Sequence, residues 1–281
     1  GACGAFQQLA RREPGHLRAI VELLGDGGAK AATTSEALAS ASLAAEAWTA
    51  AATAPPGSAA AAALPAARAV AMETYLAVVF SSDAKLKMPA RASDVFRGFA
   101  RTFTADELRD AVLPKAVKQL RRNPEGALAA TRALLETTEC DLREHVDALA
   151  DVLTPQAKHA DEWRRVAAGG CLAAVARGGG GACVRAIFNR VKPELMDTAK
   201  RPKEWHASAG LFDVLASLAD GAGGGGGGGA GKAIASVAAD ACETLAAATK
   251  TEAQKDAKER AIHALGAWLA LLTRSSYLLF V

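Results

Sequence analysis

The feature that most constrains this chain is a recurrence of helix-breaking corners. From Ala92 onward, segments with helical periodicity and about one to two dozen residues long are separated by short polar or proline-bearing breaks. The pattern predicts a short helix over 92–101 with a partner over 104–122. It then predicts 124–138 paired with 141–158, 161–178 with 181–200, and 202–219 with 232–249, with a last helix over 251–272. First helices thus begin near 124, 161, 202 and 251, at spacings of 37, 41 and 49, the last inflated by a glycine run. Two helices per unit and a period near forty are the signature of HEAT-type repeats. One helical hairpin cannot bury its apolar face alone, whereas stacked hairpins bury a continuous core.

Cap chemistry supports the corners. Asn123 stands as an N-cap before Pro124, which occupies the first helical position, where proline costs least. Asp141 and Asp161 are placed to cap the helices that follow them, Glu162 adds a first-turn acid, and Pro202 opens another helix. Pro114, Pro155 and Pro193 fall inside the second helices at spacings of 41 and 38, and each is expected to kink or restart its helix. Leu134 and Leu149 are expected inside.

Composition narrows the class. Hydrophobic residues make up 51% of 281 residues and aromatics only 5%. A sizeable core built from alanine and aliphatic side chains favours helix over strand. The expected fold class is therefore all-α, a HEAT-repeat α-solenoid of the armadillo-like superhelical kind. Residues 1–90 read as an alanine-rich helical segment of further HEAT-like hairpins, with helices near 4–12, 14–24, 29–53 and 59–81. Residues 91–281 read as the array proper, carrying a flexible glycine-rich loop at 221–231. Neither end reads as a fold cap, so a piece of a longer protein is expected.

Motifs for chemistry are lacking. "GGGGAGKA" at 226–233 approaches a phosphate-binding loop, but Ala233 replaces the hydroxyl residue and a helix rather than a strand precedes it. "RGGGGA" at 177–182 reads as a loosened turn. Five histidines show no metal-ligand spacing, and no local signature of a catalytic triad occurs. The five cysteines form no C-x-x-C pair; they indicate neither zinc nor a disulfide framework and fit a reducing cytosol. The apolar tract "ALGAWLALL" is too short to span a bilayer. The expectation is a cytoplasmic protein that is not an enzyme, with no cofactor, no metal, no small-molecule substrate and no membrane partner. Trp163, Trp205 and Trp268 read as packing residues in preference to partner anchors.

One cluster invites a partner. The net charge of +3 is too small to indicate nucleic acid by itself. Lys115, Lys118, Arg121 and Arg122, however, gather at the end of one helix, with Lys115, Lys118 and Arg122 on a shared side. Arg164 and Arg165 follow in the next unit's first helix. Equivalent positions in a solenoid line up, so these six form a candidate discontinuous basic stripe for ribosome or RNA contact. The bland alternatives are complementing of helix dipoles and local pairing of Arg164 and Arg165 with Asp161 and Glu162.

"FARTFTADELRDAVLPKAVKQLRRNPEGAL", "CDLREHVDALADVL" and "QAKHADEWRRVAAGGCLAAVA" resemble the N-terminal HEAT array of the general control activator family. The likeness continues through "IFNRVK", "GLFDVLASL" and "AIHALGAWLA" and covers roughly 92–272. The resemblance implies a ribosome-associated scaffold that regulates translation in amino-acid starvation. It implies activation of the protein kinase of initiation factor two alpha through regions outside this chain. Transport receptors and phosphatase scaffolds use the same repeat physics, as an RNA-binding solenoid would, so fold alone does not separate these readings.

Overall fold

The computed structural model describes residues 57–80, 94–198, 202–222 and 230–278, with isolated positions before residue 57. The expected helices over 4–12, 14–24 and 29–53 lie outside this set apart from such isolated positions, as do the glycines at 223–229. The described residues carry helices and no strand, and they divide at Cys140 into two compact units.

The first unit contains α1 (Ala59–Val79), α2 (Asp94–Ala100), α3 (Leu113–Arg122) and α4 (Pro124–Thr137). Its core is aromatic. Tyr75 of α1 packs against Phe80, Phe96, Phe99 and Phe103 at centroid distances of 5.2–6.3 Å, and Trp48 stands edge-on to Phe99 at 5.9 Å. Burial in this cluster pushes the Tyr75 hydroxyl well above the ordinary tyrosine range. The corner after α2 is locked by a capping box: the Thr104 hydroxyl accepts from the Glu107 amide at 3.2 Å, and the Glu107 carboxylate accepts from the Thr104 amide at 2.9 Å. Arg68 of α1 pairs with Glu107, donates to the Thr102 carbonyl at 2.7 Å and lies 5.2 Å over the Trp48 ring.

α3 is entered through a single π turn, Leu108–Val112, in which the Leu113 amide donates to the Leu108 carbonyl. Pro114 accounts for it. Proline has no N–H for the Asp110 carbonyl, and its ring crowds that oxygen, so the widened turn relieves both. The Asn123 cap is present, its side chain accepting from the Gly126 amide at 3.4 Å, with Pro124 at the first position of α4.

The second unit holds α5 (Val146–Ala157), α6 (Glu162–Thr198), α7 (Trp205–Ala222), α8 (Ala230–Thr251) and α9 (Lys255–Leu278). Helices adjacent in sequence pack in pairs, and successive pairs share a core, as an all-α solenoid of HEAT type requires. One layer runs from α5 to the second half of α6 to α8. It is bridged by Asp151–Arg190 at 2.7 Å, Lys158–Glu194 at 2.6 Å and Lys192–Asp240 at 2.6 Å. The other runs from the first half of α6 to α7 to α9, where Trp268, fully buried, donates to the Leu215 carbonyl at 2.9 Å.

α6 is two helices in one continuous stretch. Gly180 takes φ 64° and ψ −155°, a combination open to glycine alone, and turns the chain between the predicted 161–178 and 181–200 segments. The run Glu162–Asp197 is long and apolar enough by composition to cross a bilayer. That break, and packing against α5, α7 and α8, make it a core hairpin instead.

Several local expectations need correction. Asp141 does not open α5; it accepts from the Arg143 amide at 2.9 Å, at the start of a 3-10 turn, Arg143–His145, whose N-cap position is Leu142 and which precedes the helix. Pro202 likewise begins a 3-10 turn before α7. Pro193 neither restarts nor breaks α6, since only Gly180 leaves helical dihedrals there. Pro155 sits in the last turn of α5, which ends at Ala157. Of the loop expected at 221–231, Gly221 and Ala222 belong to α7 and Ala230 and Gly231 to α8, and residues 223–229 lie outside the described residues.

Candidate basic interaction surface

α3 buries Leu113, Ala116, Gln119 and Leu120, and this sets where its cations stand. At 3.6 residues per turn, Lys115, Lys118 and Arg122 fall within about 60° of arc, and Arg121 widens the sector to about 120°. The sector lies away from the buried side chains. Lys118, Arg121 and Arg122 are exposed and Lys115 is half-buried. Among the described residues none of the four joins an ion pair.

Their neighbours behave differently. Arg97 and Arg132 both engage Glu136, at 3.3 Å and 2.7 Å. Arg109 holds Asp106 and Asp110, each at 2.8 Å, and its guanidinium holds the Asp110 carboxyl below the usual range. Burial pushes the Glu107 carboxyl up, but hydrogen bonds from Arg68 and from the Thr104 amide, with the Arg68 charge, outweigh it and keep it low.

The other two predicted cations sit in the second unit and have other roles. Arg165 is buried, 4% exposed, and donates to the His159 and Ala160 carbonyls at 3.0 and 2.7 Å. It thereby satisfies backbone acceptors at the corner after α5 and is not available to a partner. Arg164 is half-buried, its Nη1 2.9 Å from His159 Nε2. The Arg165 amide donates to the Asp161 carbonyl at 3.2 Å in the first turn of α6, and the Asp161 side chain caps that helix by accepting from the Trp163 amide at 3.0 Å. Glu162 reaches Arg260 of α9 at 2.7 Å, and Arg260 also pairs with Asp213 of α7. Burial pushes the Asp213 carboxyl up, although Arg260 and Arg165 pull it down.

The tryptophans divide. Trp268 is core, Trp205 is half-buried, and Trp163 is 41% exposed next to exposed Val166. Sequence reading overlooked the aromatic cluster of the first unit, although Phe96, Phe99 and Phe103 recur at i, i+3 and i+7; Phe96 and Phe99 lie on α2, and Phe103 is buried from the corner that follows it.

Nothing resembling a catalytic constellation is assembled among the described residues, and no group of three His, Cys, Asp or Glu side chains there is placed to hold a metal ion. Cys140, Cys171, Cys183 and Cys242 are not in disulfides, and burial pushes Cys183 up to about 11, away from thiolate reactivity.

Comparison with known proteins bears on identity. Residues 68–200 match the family model described as the N-terminal region of the stalled ribosome sensor GCN1. Protein ILITYHIA of Arabidopsis thaliana is 28% identical over 203 residues, which is 72% of this chain and 7% of that protein. The chain therefore spans a small fraction of this curated relative. Among solved structures, a crystal structure of an engineered protein aligns over 95% of this chain and 64% of its own, at 20% identity and a TM-score of 0.41. The family match lies across the capped hairpins described above, so residues 68–200 are similar to the N-terminal region of GCN1.

Proposed function

We propose that this chain is a non-enzymatic scaffold, an α-solenoid segment that works in the cytoplasm in association with ribosomes and takes part in regulating translation. The observation that carries the reading is the match of residues 68–200 to a family described as a stalled ribosome sensor. The fold agrees with it. Stacked hairpins present long surfaces to partners, and several polar side chains of the described residues cap corners or bridge helices. The finer part of the proposal is a contribution to activating the kinase of initiation factor two alpha under amino-acid starvation, with kinase contact made outside this chain.

Cosedimentation tests the ribosome part. The 281-residue chain is expected in the ribosomal fractions of a sucrose gradient at low salt. A chain that stays entirely at the top of the gradient would overturn the reading. Removal of residues 68–200 from the protein that bears them is expected to blunt phosphorylation of initiation factor two alpha in starved cells. An undiminished response would exclude these residues from that pathway.

A further inference from the structure

We infer that the cation sector at the end of α3 is a contact for the phosphate backbone of double-stranded RNA, made by Lys115, Lys118, Arg121 and Arg122. The inference deepens the ribosome-associated reading above and rests on it for where such duplexes are met. The RNA contact itself rests on the patch.

Three observations carry it. The first is that these cations are unmatched. Elsewhere in the first unit Arg68, Arg97, Arg109 and Arg132 are each held by a carboxylate, whereas the four have no ion pair among the described residues. Asp110, one turn behind the sector, is already engaged by Arg109. Four uncompensated positive charges on one side of one helix attract a polyanion and repel basic protein surfaces.

The second is reach. Lys115 to Arg122 spans about 10 Å of helix axis, so adjacent cations match a backbone that presents one charge per about 3.4 Å of each strand. Arg121 and Arg122 can fork onto phosphate oxygens, and Lys115 and Lys118 meet them as point charges.

The third is that the described residues of this unit offer no exposed aromatic ring for stacking. Binding of single strands relies on exposed aromatic rings beside the charges. In this unit Trp48, Tyr75, Phe80, Phe96, Phe99 and Phe103 are all buried, and α3 carries no aromatic residue. Charge without stacking suits a duplex, which is met through its phosphates and shape and not through its bases.

Fluorescence anisotropy with a labelled 20-base-pair RNA duplex of arbitrary sequence tests the inference, across a salt series and with an unpaired strand of equal length in parallel. The chain is expected to bind the duplex, independently of its sequence and at least as tightly as the single strand. The variant Lys115→Glu/Lys118→Glu/Arg121→Glu/Arg122→Glu is expected to bind at least tenfold more weakly. The slope of log affinity against log salt should flatten by about 0.9 for each phosphate that is no longer neutralised, taking the duplex DNA value. The corresponding Gln variant should fall between the two. Because these positions bury little, circular dichroism and the melting temperature should stay unchanged. Unchanged affinity and slope in the Glu variant overturns the inference, as does a clear preference for the single strand. Failure of the wider reading looks different: the chain then binds duplex yet does not cosediment with ribosomes.

Discussion

At the scale of the residue, close approach and burial set the largest effects. Gly210 of α7 faces the end of α5, and a Cβ added there would stand 1.8 Å from the Ala157 carbonyl oxygen and 2.7 Å from Arg165 Cδ. The carbonyl belongs to the backbone and cannot rotate away. Gly210→Ala is expected to destabilise by about 1–3 kcal/mol through overpacking. Gly266, in the middle of α9, has open space at the same position. Gly266→Ala should stabilise by about 0.5–1 kcal/mol, because helical glycine loses more backbone entropy than alanine. Urea denaturation of the two variants checks both signs. Arg165 gives a further contrast. Arg165→Ala leaves two corner carbonyls without their buried donor and should cost about 1–3 kcal/mol. Lys118→Ala, at an exposed position, should stay within about 0.5 kcal/mol. Equal effects would mean that Arg165 does not hold the corner after α5.

At the scale of the element, ion pairs tie helices together with opposite pH signatures. Glu107 links the start of the α3 segment to Arg68 of α1, and its carboxyl is held below the ordinary value of 4.5. A depressed carboxylate binds fewer protons folded than unfolded, so its contribution is whole above that ordinary value and fades as pH falls through the lower folded value. Thermal melts are expected to show the stability gap between the wild type and Glu107→Gln narrowing from pH 6 toward strongly acid pH. A gap constant with pH would mean that the pair contributes nothing through charge. Asp213 has the reverse sign: burial raises it, so stability present below the ordinary aspartate value of 3.8 is partly lost as pH rises through the higher folded value. Proline shows how element context overrides a rule of composition. The sequence pattern predicts one behaviour for three interior prolines, and they show three. Pro114 follows a π turn, Pro155 lies in a last turn, and Pro193 leaves the helix unbroken.

At the scale of the whole molecule, stability should be local to each unit. In a solenoid, contacts run between neighbours. Leu134 lies in the core of the first unit at 1% exposure and Leu149 in that of the second at 0%. A buried, unpaired carboxylate is costly wherever it falls. Amide hydrogen exchange is expected to show Leu134→Asp loosening α3 and α4 first, and Leu149→Asp loosening α5 and the adjoining α6 first. Uniform loss of protection across both units by either variant would mean that the chain melts as one cooperative body.

Much of this architecture was legible in the amino-acid order. Paired helices, the near-forty spacing, the Asn123 and Asp161 caps and the turn at the 178–181 glycines are local matters. Each is fixed by periodicity, by amide and carboxylate chemistry a few residues away, or by a dihedral that only glycine adopts. Asp141 shows the limit of such reading. Its capping chemistry was evident, yet whether the next turn would be 3-10 or α was not. What only the tertiary structure decided is which like-looking residues are open to a partner. Arg165 and Arg121 carry the same group, but one is buried against the corner after α5 and the other is open to solvent. The Trp48–Tyr75–Phe99 cluster and the approach of Gly210 to Ala157 join residues dozens of positions apart. Burial is the sum of neighbours brought in from distant chain, so no local pattern encodes it, and the candidate RNA surface is what that sum leaves uncovered.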